Sequence, residues 1–355
     1  MIAQDCTGPA ADRGGNDPRV LAVDLGATKL RAAAITAAGE AIARRETPTP
    51  HDGSPQALVG SVVDLLSAVA ADLAADARAG LLGIGVSAVG PLDAGRGVLL
   101  GPPNLGPGYR GLELAEPLRT HFGLPTAVER DTNVAALAER AYGAARGCDD
   151  FIYLTVSTGV GGGVFSDGRL LAGARGFAGE LGHVPVALDG PRCGCGHPGH
   201  LEAFCSGTGL ARRAREAVTT GRSPALAERA RERGDGELDA IDVVAAEAVG
   251  DAVASALVAE AIEAFGAAVL GFLNAFDPEL IVVGGGLAVG LGDRLLDAAN
   301  AKAAYALAPP TRSARVVAAA LGDDVGLRGC LPLVEERVSA AGRDSGPGIR
   351  TEART

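Results

Sequence analysis

Val20-Leu21-Ala22-Val23-Asp24-Leu25-Gly26-Ala27-Thr28-Lys29 is the stretch whose reading decides the fold. An apolar run carries one carboxylate near its end, a glycine permits a tight turn, and Leu30 to Ile35 runs back apolar. That pattern predicts a strand, a turn and a returning strand. It comes round again at Phe151 to Val156, which meets the glycine turn Thr158 to Gly163 and returns through Val164 and Phe165. The same unit therefore occurs once in each half of the chain.

Working outward, helical spacing predicts helices over Ser54 to Ala79, Leu112 to His121, Thr132 to Tyr142 (entered through Asp131), Ile241 to Phe276, Leu291 to Leu307 and Val325 to Ala340. Short apolar runs predict strands at Leu82 to Val86, Pro125 to Glu129, Glu279 to Val283 and Ala314 to Ala319. Gly101 to Gly111 reads as a loop, and Arg222 to Gly236 as a surface loop or frayed helix. Strands alternating with helices in both halves indicate an α/β protein with a sheet in each domain and ligands in an interdomain cleft. The expected division is a disordered leader (1–18), a smaller α/β domain (19–130 plus 326–340), a larger α/β domain (131–325) and a disordered tail (341–355).

Composition narrows the function. The 355 residues are 47% hydrophobic, 21% charged and 3% aromatic, which excludes wholesale disorder. A net charge of -11 without a basic run argues against nucleic acid as partner. No uninterrupted apolar run reaches the ~18 residues of a membrane span, and the charged leader is unlike a signal peptide. The expectation is a cytoplasmic protein with neither membrane nor nucleic-acid partner, whose six cysteines serve metal binding, chemistry or burial before disulfides.

Several segments carry chemistry. In the first turn, Gly26 and Ala27 offer backbone N–H groups and Thr28 a hydroxyl to phosphate oxygens, Lys29 an ammonium, and Asp24 a carboxylate that could hold magnesium through water. A solvent-facing hairpin would use the same residues. Lys29 is one of only two lysines in the chain, which favours the functional reading. In the second turn, Thr158, Gly159, Val160, Gly161 and Gly162 offer consecutive backbone donors suited to a triphosphate; a hairpin needing positive backbone angles would use the same residues, and the pairing of two such turns shifts the balance to the functional reading. Gly284-Gly285-Gly286 ends a strand and would let adenosine pack on bare backbone, or serve as a simple strand-to-helix turn. Two Gly-x-Gly-x-x-Gly matches, beginning at Gly106 and Gly194, contain proline and do not join a strand to a helix, so dinucleotide binding is set aside.

Asp131 sits at a strand end. It can cap the following helix, or act as the general base that takes a proton from a substrate hydroxyl, with Glu129 and Asn133 flanking a polar substrate surface. Three of five histidines and three of six cysteines fall between residues 183 and 205. Two thiolates and two imidazoles would close a tetrahedral structural zinc site, with His197 and Cys205 as spares that do not bind. Metal-free buried thiols are the alternative.

In this order the segments resemble the ROK family of sugar kinases, bacterial glucokinases most of all, from about Val20 to Ala340. The carrying segments are the turns Asp24–Lys29 and Ser157–Gly163, Pro103-Asn104-Leu105, Glu129–Asn133, and Cys193-Gly194-Cys195-Gly196 through Glu202. The resemblance implies a two-domain actin-like, ribonuclease-H-like ATPase fold, with ATP, Mg2+ and structural Zn2+. It implies phosphorylation of a hexose, foremost glucose, at the 6-hydroxyl by Asp131, with sugar contacts from Gly90, Asn104, Glu129, Glu180, His183 and Glu202. It further implies zinc ligands His183, Cys193, Cys195 and His200, and a homodimer or homotetramer. His200 stands where the family has a third cysteine and keeps a competent ligand. Arg130 stands where glucokinases carry a sugar-contacting asparagine, so fructose and N-acetylmannosamine kinases stay alongside glucokinase, as does a non-enzymatic sugar sensor. The family's sugar-responsive repressors carry a winged helix-turn-helix ahead of the first turn, for which about 20 residues before Val20 are too few.

Overall fold

The computed structural model describes residues 17–51, 54–102, 104–234 and 236–344. Within these the chain divides into two units, one of residues 17–142 with 323–344 and the other of residues 143–322. The helix Asp131–Tyr142 goes with the first unit.

The apolar run that opens the first unit is a strand buried on both faces, which is why its hydrophobicity is continuous rather than alternating. β1 (Pro18–Leu25) lies at the centre of a five-stranded sheet, pairing antiparallel with β2 (Lys29–Thr36), which pairs with the edge strand β3 (Ala41–Pro48). On its other side β1 runs parallel to β4 (Gly83–Ala88). Three two-residue strands, β5 (Leu92–Asp93), β6 (Val98–Leu99) and β7 (Leu112–Glu113), form a small separate sheet, and β8 (Thr126–Arg130) then joins β4 in parallel. The main order is β3-β2-β1-β4-β8. The helix Pro55–Ala71 buries Leu58, Val62, Leu66 and Val69 at helical spacing, and Ser54 caps its start by accepting from the N–H of Ala57. The final helix, Cys330–Asp344, returns to this unit, where Leu331, Leu333 and Val334 are buried.

The second unit repeats the plan. β9 (Phe151–Val156) pairs antiparallel with β10 (Val160–Ser166), followed by β11 (Arg169–Leu170) at the edge, while β12 (Leu280–Gly284) and β13 (Arg315–Ala318) run parallel on the other side. The order β11-β10-β9-β12-β13 matches the first sheet strand for strand, so the repeat read from the two hairpins extends to whole sheets. Ala252–Phe276 is, among the described residues, the one helix long and apolar enough to cross a membrane, with mean hydropathy 1.8. It is the core helix of its unit: Leu257, Phe265, Val269 and Phe272 are buried, and Glu260 and Glu263 on its outer face pair with Arg213 and Lys302.

Several elements differ from the sequence expectation, each for a local reason. The glycine run after Thr158 is strand, with Gly161, Gly162 and Gly163 opposite Thr155, Leu154 and Tyr153, so the second turn shrinks to Ser157-Thr158-Gly159. Leu112 pairs in β7, and the helix behind it is Ala115–Phe122. Arg222 to Gly236 contains a regular helix, Pro224–Arg233, between a Ser223 cap and left-handed Gly234. The long helical run from Ile241 is interrupted at Val249-Gly250, and Asp251 caps the second part. Of the expected leader, residues 1–16 lie outside the described residues and Pro18 already pairs with Thr36. Of the expected tail, 341–344 complete the last helix and 345–355 lie outside the described residues.

Candidate functional site

In each unit the expected site residues gather at the carboxyl ends of parallel strands, where ligands of open α/β sheets bind. In the first unit the register sets Leu25 beside Ala88 and Ala88 beside Arg130, which brings Asp24, Gly90 and the Glu129–Asp131 corner to one end of the sheet. Gly26 donates its N–H to Lys29 O at 3.0 Å to close the first turn, and Thr49 Oγ1 donates to Gly26 O at 2.8 Å. Thr28 and Lys29 are exposed, and Lys29 Nζ lies 3.9 Å from Glu46. Asp24 is buried and ion-paired with Arg31, its register partner on β2. Burial pushes its carboxyl above the ordinary range, outweighing the arginine.

The corner between β8 and the helix Asp131–Tyr142 is built from charge. Glu129 is 6% exposed; its Oε1 accepts from the Arg130 N–H at 2.9 Å and from Asn133 Nδ2 at 3.0 Å, and its Oε2 lies 3.4 Å from Arg337 of the last helix. Arg130 is buried, with its stem over Gly90 and Nη2 on Asn133 Oδ1 at 3.4 Å. Asp131 is exposed, and its Oδ1 accepts from the N–H of Thr132 at 2.8 Å. That bond comes from the adjacent residue, and the carboxylate stands on the surface in the first turn of the helix. Asn104 is exposed beside buried Leu105, whereas Pro103 lies outside the described residues.

In the second unit, Ser157 donates its N–H to Gly159 O at 2.9 Å, making a tight turn. Thr158 and Gly286 line one cavity of about 710 Å3, whose apolar wall includes Leu238, Ile241, Val244 and Leu287. Gly284 and Gly285 lead into it from β12. A polar rim of Thr158 and Thr208, a bare backbone at Gly286 and an apolar wall suit a phosphorylated nucleoside. The wall residues and Thr208 escaped the sequence reading. Ser206-Gly207-Thr208-Gly209, a small-residue run opening the helix Gly207–Thr219, was the available signal.

Glu180 is exposed, and the short turn Leu181–His183 packs on β10; a β-carbon on Gly182 would fall 2.0 Å from Val160 O, so the approach requires glycine. Glu202 reaches the same strand, its Oε2 accepting from the Val160 N–H at 3.1 Å. His183, Cys193, Cys195 and His200 place one ligand atom each within 4.8 Å of one another. Cys193 Sγ lies 3.5 Å from His183 Nδ1 and Cys195 Sγ 3.3 Å from His200 Nδ1, close to the ~3.6 Å edge implied by zinc bond lengths. Burial pushes the Cys193 thiol up to about 12 and lowers His200. Two soft sulfurs and two imidazoles thus fit a tetrahedral zinc. Cys205 lies in the hydrophobic core, its thiol pushed up to about 12 by burial, and neither it nor His197 joins the cluster.

Comparison with known proteins follows the same outline. A model of the ROK family matches residues 20–337. Glucokinase of Halalkalibacterium halodurans is 35% identical over 324 residues, 91% of this chain and 96% of its own. N-acetylmannosamine kinase of Shigella boydii is 44% identical over 192 residues, 54% of this chain and 62% of its own. A ROK family glucokinase from Streptomyces griseus, solved in complex with glucose and AMPPNP, is similar in fold with a TM-score of 0.72 at 30% identity, covering 89% of this chain and 99% of that one.

Proposed function

The chain belongs to the ROK family and is an ATP-dependent sugar kinase of actin-like fold, and we propose that it transfers the terminal phosphoryl group of ATP to the 6-hydroxyl of a hexose, with glucose as first substrate. The observation that carries the nucleotide half of this reading is the cavity that Thr158 and Gly286 share. Adenosine takes the apolar wall, and Thr158 and Gly159 at the turn meet the phosphates, since the Val160 N–H is given to Glu202 and Gly161 and Gly162 lie in β10. In the first unit Thr28 and Lys29, exposed at the turn that Gly26 closes on Lys29 O, have the corresponding phosphate-binding role. Magnesium, when bound, neutralises charge on those phosphates. Asp24 would reach it through water, since its carboxylate is engaged by Arg31.

Asp131 is the base: it accepts the proton of the 6-hydroxyl as the phosphorus is attacked. Asn104 in the first unit is read as a contact to a sugar hydroxyl, and so are Glu180, His183 and Glu202 in the second. His183, Cys193, Cys195 and His200 would hold a zinc whose role is to fix the loop they share. Cytoplasmic localisation and a homodimer or homotetramer complete the proposal.

N-acetylmannosamine kinase activity is the second reading, supported by the segmental likeness to the Shigella enzyme and by Arg130 in place of asparagine. A coupled assay of ADP release against glucose, fructose, mannose and N-acetylmannosamine separates the two. Glucose should give the highest kcat/KM; a preference for N-acetylmannosamine would install the second reading, and ADP release no faster with any sugar than without would remove both.

A further inference from the structure

The second turn does not stand by itself. Four interactions fix it, and all come from one segment, Glu202 to Thr208. Glu202 Oε2 accepts from the Val160 N–H at 3.1 Å, and a β-carbon on Gly159 would lie 2.7 Å from that oxygen, so the carboxylate sits against the turn. The Gly207 N–H donates to Ser157 O at 2.7 Å and the Thr208 N–H to Thr158 O at 3.0 Å. Thr208 Oγ1 donates to the same carbonyl at 2.9 Å. The segment starts two residues after His200 of the four-ligand cluster, and Glu202 Oε1 lies 3.4 Å from Cys193 Sγ. The metal-ligand loop and the phosphate turn are thus joined by a few side chains and a stretch of backbone.

We infer that the segment Glu202–Thr208 is a positioning element that couples the metal cluster to the phosphate turn, so that metal occupancy sets nucleotide affinity as well as local stability. This rests on the readings of the turn as phosphate-binding and of the cluster as a metal site. The physical basis is that loops ordered by a metal lose their geometry without it, and that partners one shell out from a site alter affinity when they shift. With the metal absent, the ligand loop is free to move, Glu202 and the carbonyl contacts of Gly207 and Thr208 move with it, and the turn no longer presents its N–H groups at a fixed spacing.

The test uses the full chain stripped with a chelator and then restored with zinc. Two quantities are followed: amide hydrogen exchange across residues 155–161, with β12 as internal reference, and AMPPNP binding by calorimetry. Stripping should speed exchange in the turn and weaken AMPPNP by roughly tenfold or more, reversibly, while β12 stays protected. Zinc bound at one per chain with exchange and AMPPNP binding both unmoved by its removal overturns the coupling. Thr208→Val, kept zinc-loaded, tests the segment's hold on the turn, and exchange decides it, because Thr208 also lines the nucleotide cavity. Losing its side-chain bonds to Thr158 O and Ser206 Oγ, of about 1 kcal/mol each, should weaken AMPPNP about fivefold or more and speed exchange at 158–160, with zinc content and sugar KM unchanged.

Should stripping unfold the chain, this variant alone decides, and unchanged exchange at 158–160 refutes the role of the segment. A wild-type chain that retains no zinc fails the metal reading and with it the coupling. One that binds zinc but no AMPPNP fails the nucleotide reading, and exchange alone then judges whether metal and turn are joined.

Discussion

The two units share a strand order and a hairpin at the same place in it, yet they secure the loops beside that hairpin by different means. In the first unit, charge does it: Asp24 pairs with Arg31, and Glu129 gathers donors from Arg130, Asn133 and Arg337. In the second, main-chain carbonyls do most of it: those of Ser157 and Thr158 accept from Gly207 and Thr208, glycines admit close approach, and one carboxylate, Glu202, takes the Val160 N–H. A corner rich in fixed charge suits the handling of a proton. A turn whose backbone must stay available to phosphate is better held from behind by its own carbonyls.

If that division is correct, variants in the first unit should lower turnover, and variants in the second should lower affinity and stability. The largest effect is expected of Asp131→Ala, which should cut kcat by about 10² to 10⁴ with sugar KM largely kept. Because Asp131 is exposed, its melting temperature should change little. Turnover within a factor of about two of wild type would end the assignment of the base. Gly182→Ala in the second unit should act the other way. Its β-carbon at 2.0 Å from Val160 O must displace the Leu181–His183 turn or β10, a loss of about 1–3 kcal/mol by urea denaturation. An unaffected midpoint would show that the turn yields freely.

The same contrast explains what could be read in advance. Both hairpins, the parallel strands and the corner between β8 and the helix Asp131–Tyr142 were legible because buried strands bounded by glycine or by a carboxylate leave a local signature. The convergence of His183, Cys193, Cys195 and His200 was legible because cysteine and histidine cluster within one short segment. The cavity wall was not: Leu238, Ile241, Val244 and Leu287 are ordinary apolar helix or loop residues until tertiary packing faces them to one space. Nor was the true length of the second turn, since glycines that could form a loop instead pair with β9 once a partner strand is present. Edge strand β3 also escaped, because its Arg44, Arg45 and Glu46 blur the alternation while blunting the edge.

Arg337→Ala probes the charged corner at lower amplitude. Arg337 is half exposed and 3.4 Å from Glu129, so the pair is worth at most about 1 kcal/mol, and kcat should fall by no more than about fivefold. The split between constants is the informative part. If Glu129 orients the corner, kcat falls with sugar KM unchanged, and Arg337→Lys restores part of it. A rise in sugar KM at constant kcat would make Glu129 a sugar contact, as the resemblance to glucokinases implies.

The smallest effect concerns Asp24, whose carboxyl burial holds above the ordinary range. Between the unfolded and folded values the native state binds more protons than the unfolded one, so stability falls as pH rises through that window. The contribution is complete at pH below the ordinary aspartate value and is lost once pH exceeds the raised folded value. Asp24→Asn removes the titration, so its melting temperature, plotted against pH in the acid range, should decline less on the alkaline side of that window than the wild type's. A steeper decline in the variant would mean that the Arg31 pair, and not burial, governs the carboxyl. The Asp24–Arg31 pair next to the first turn would then be a source of stability and not a cost of burying an acid there.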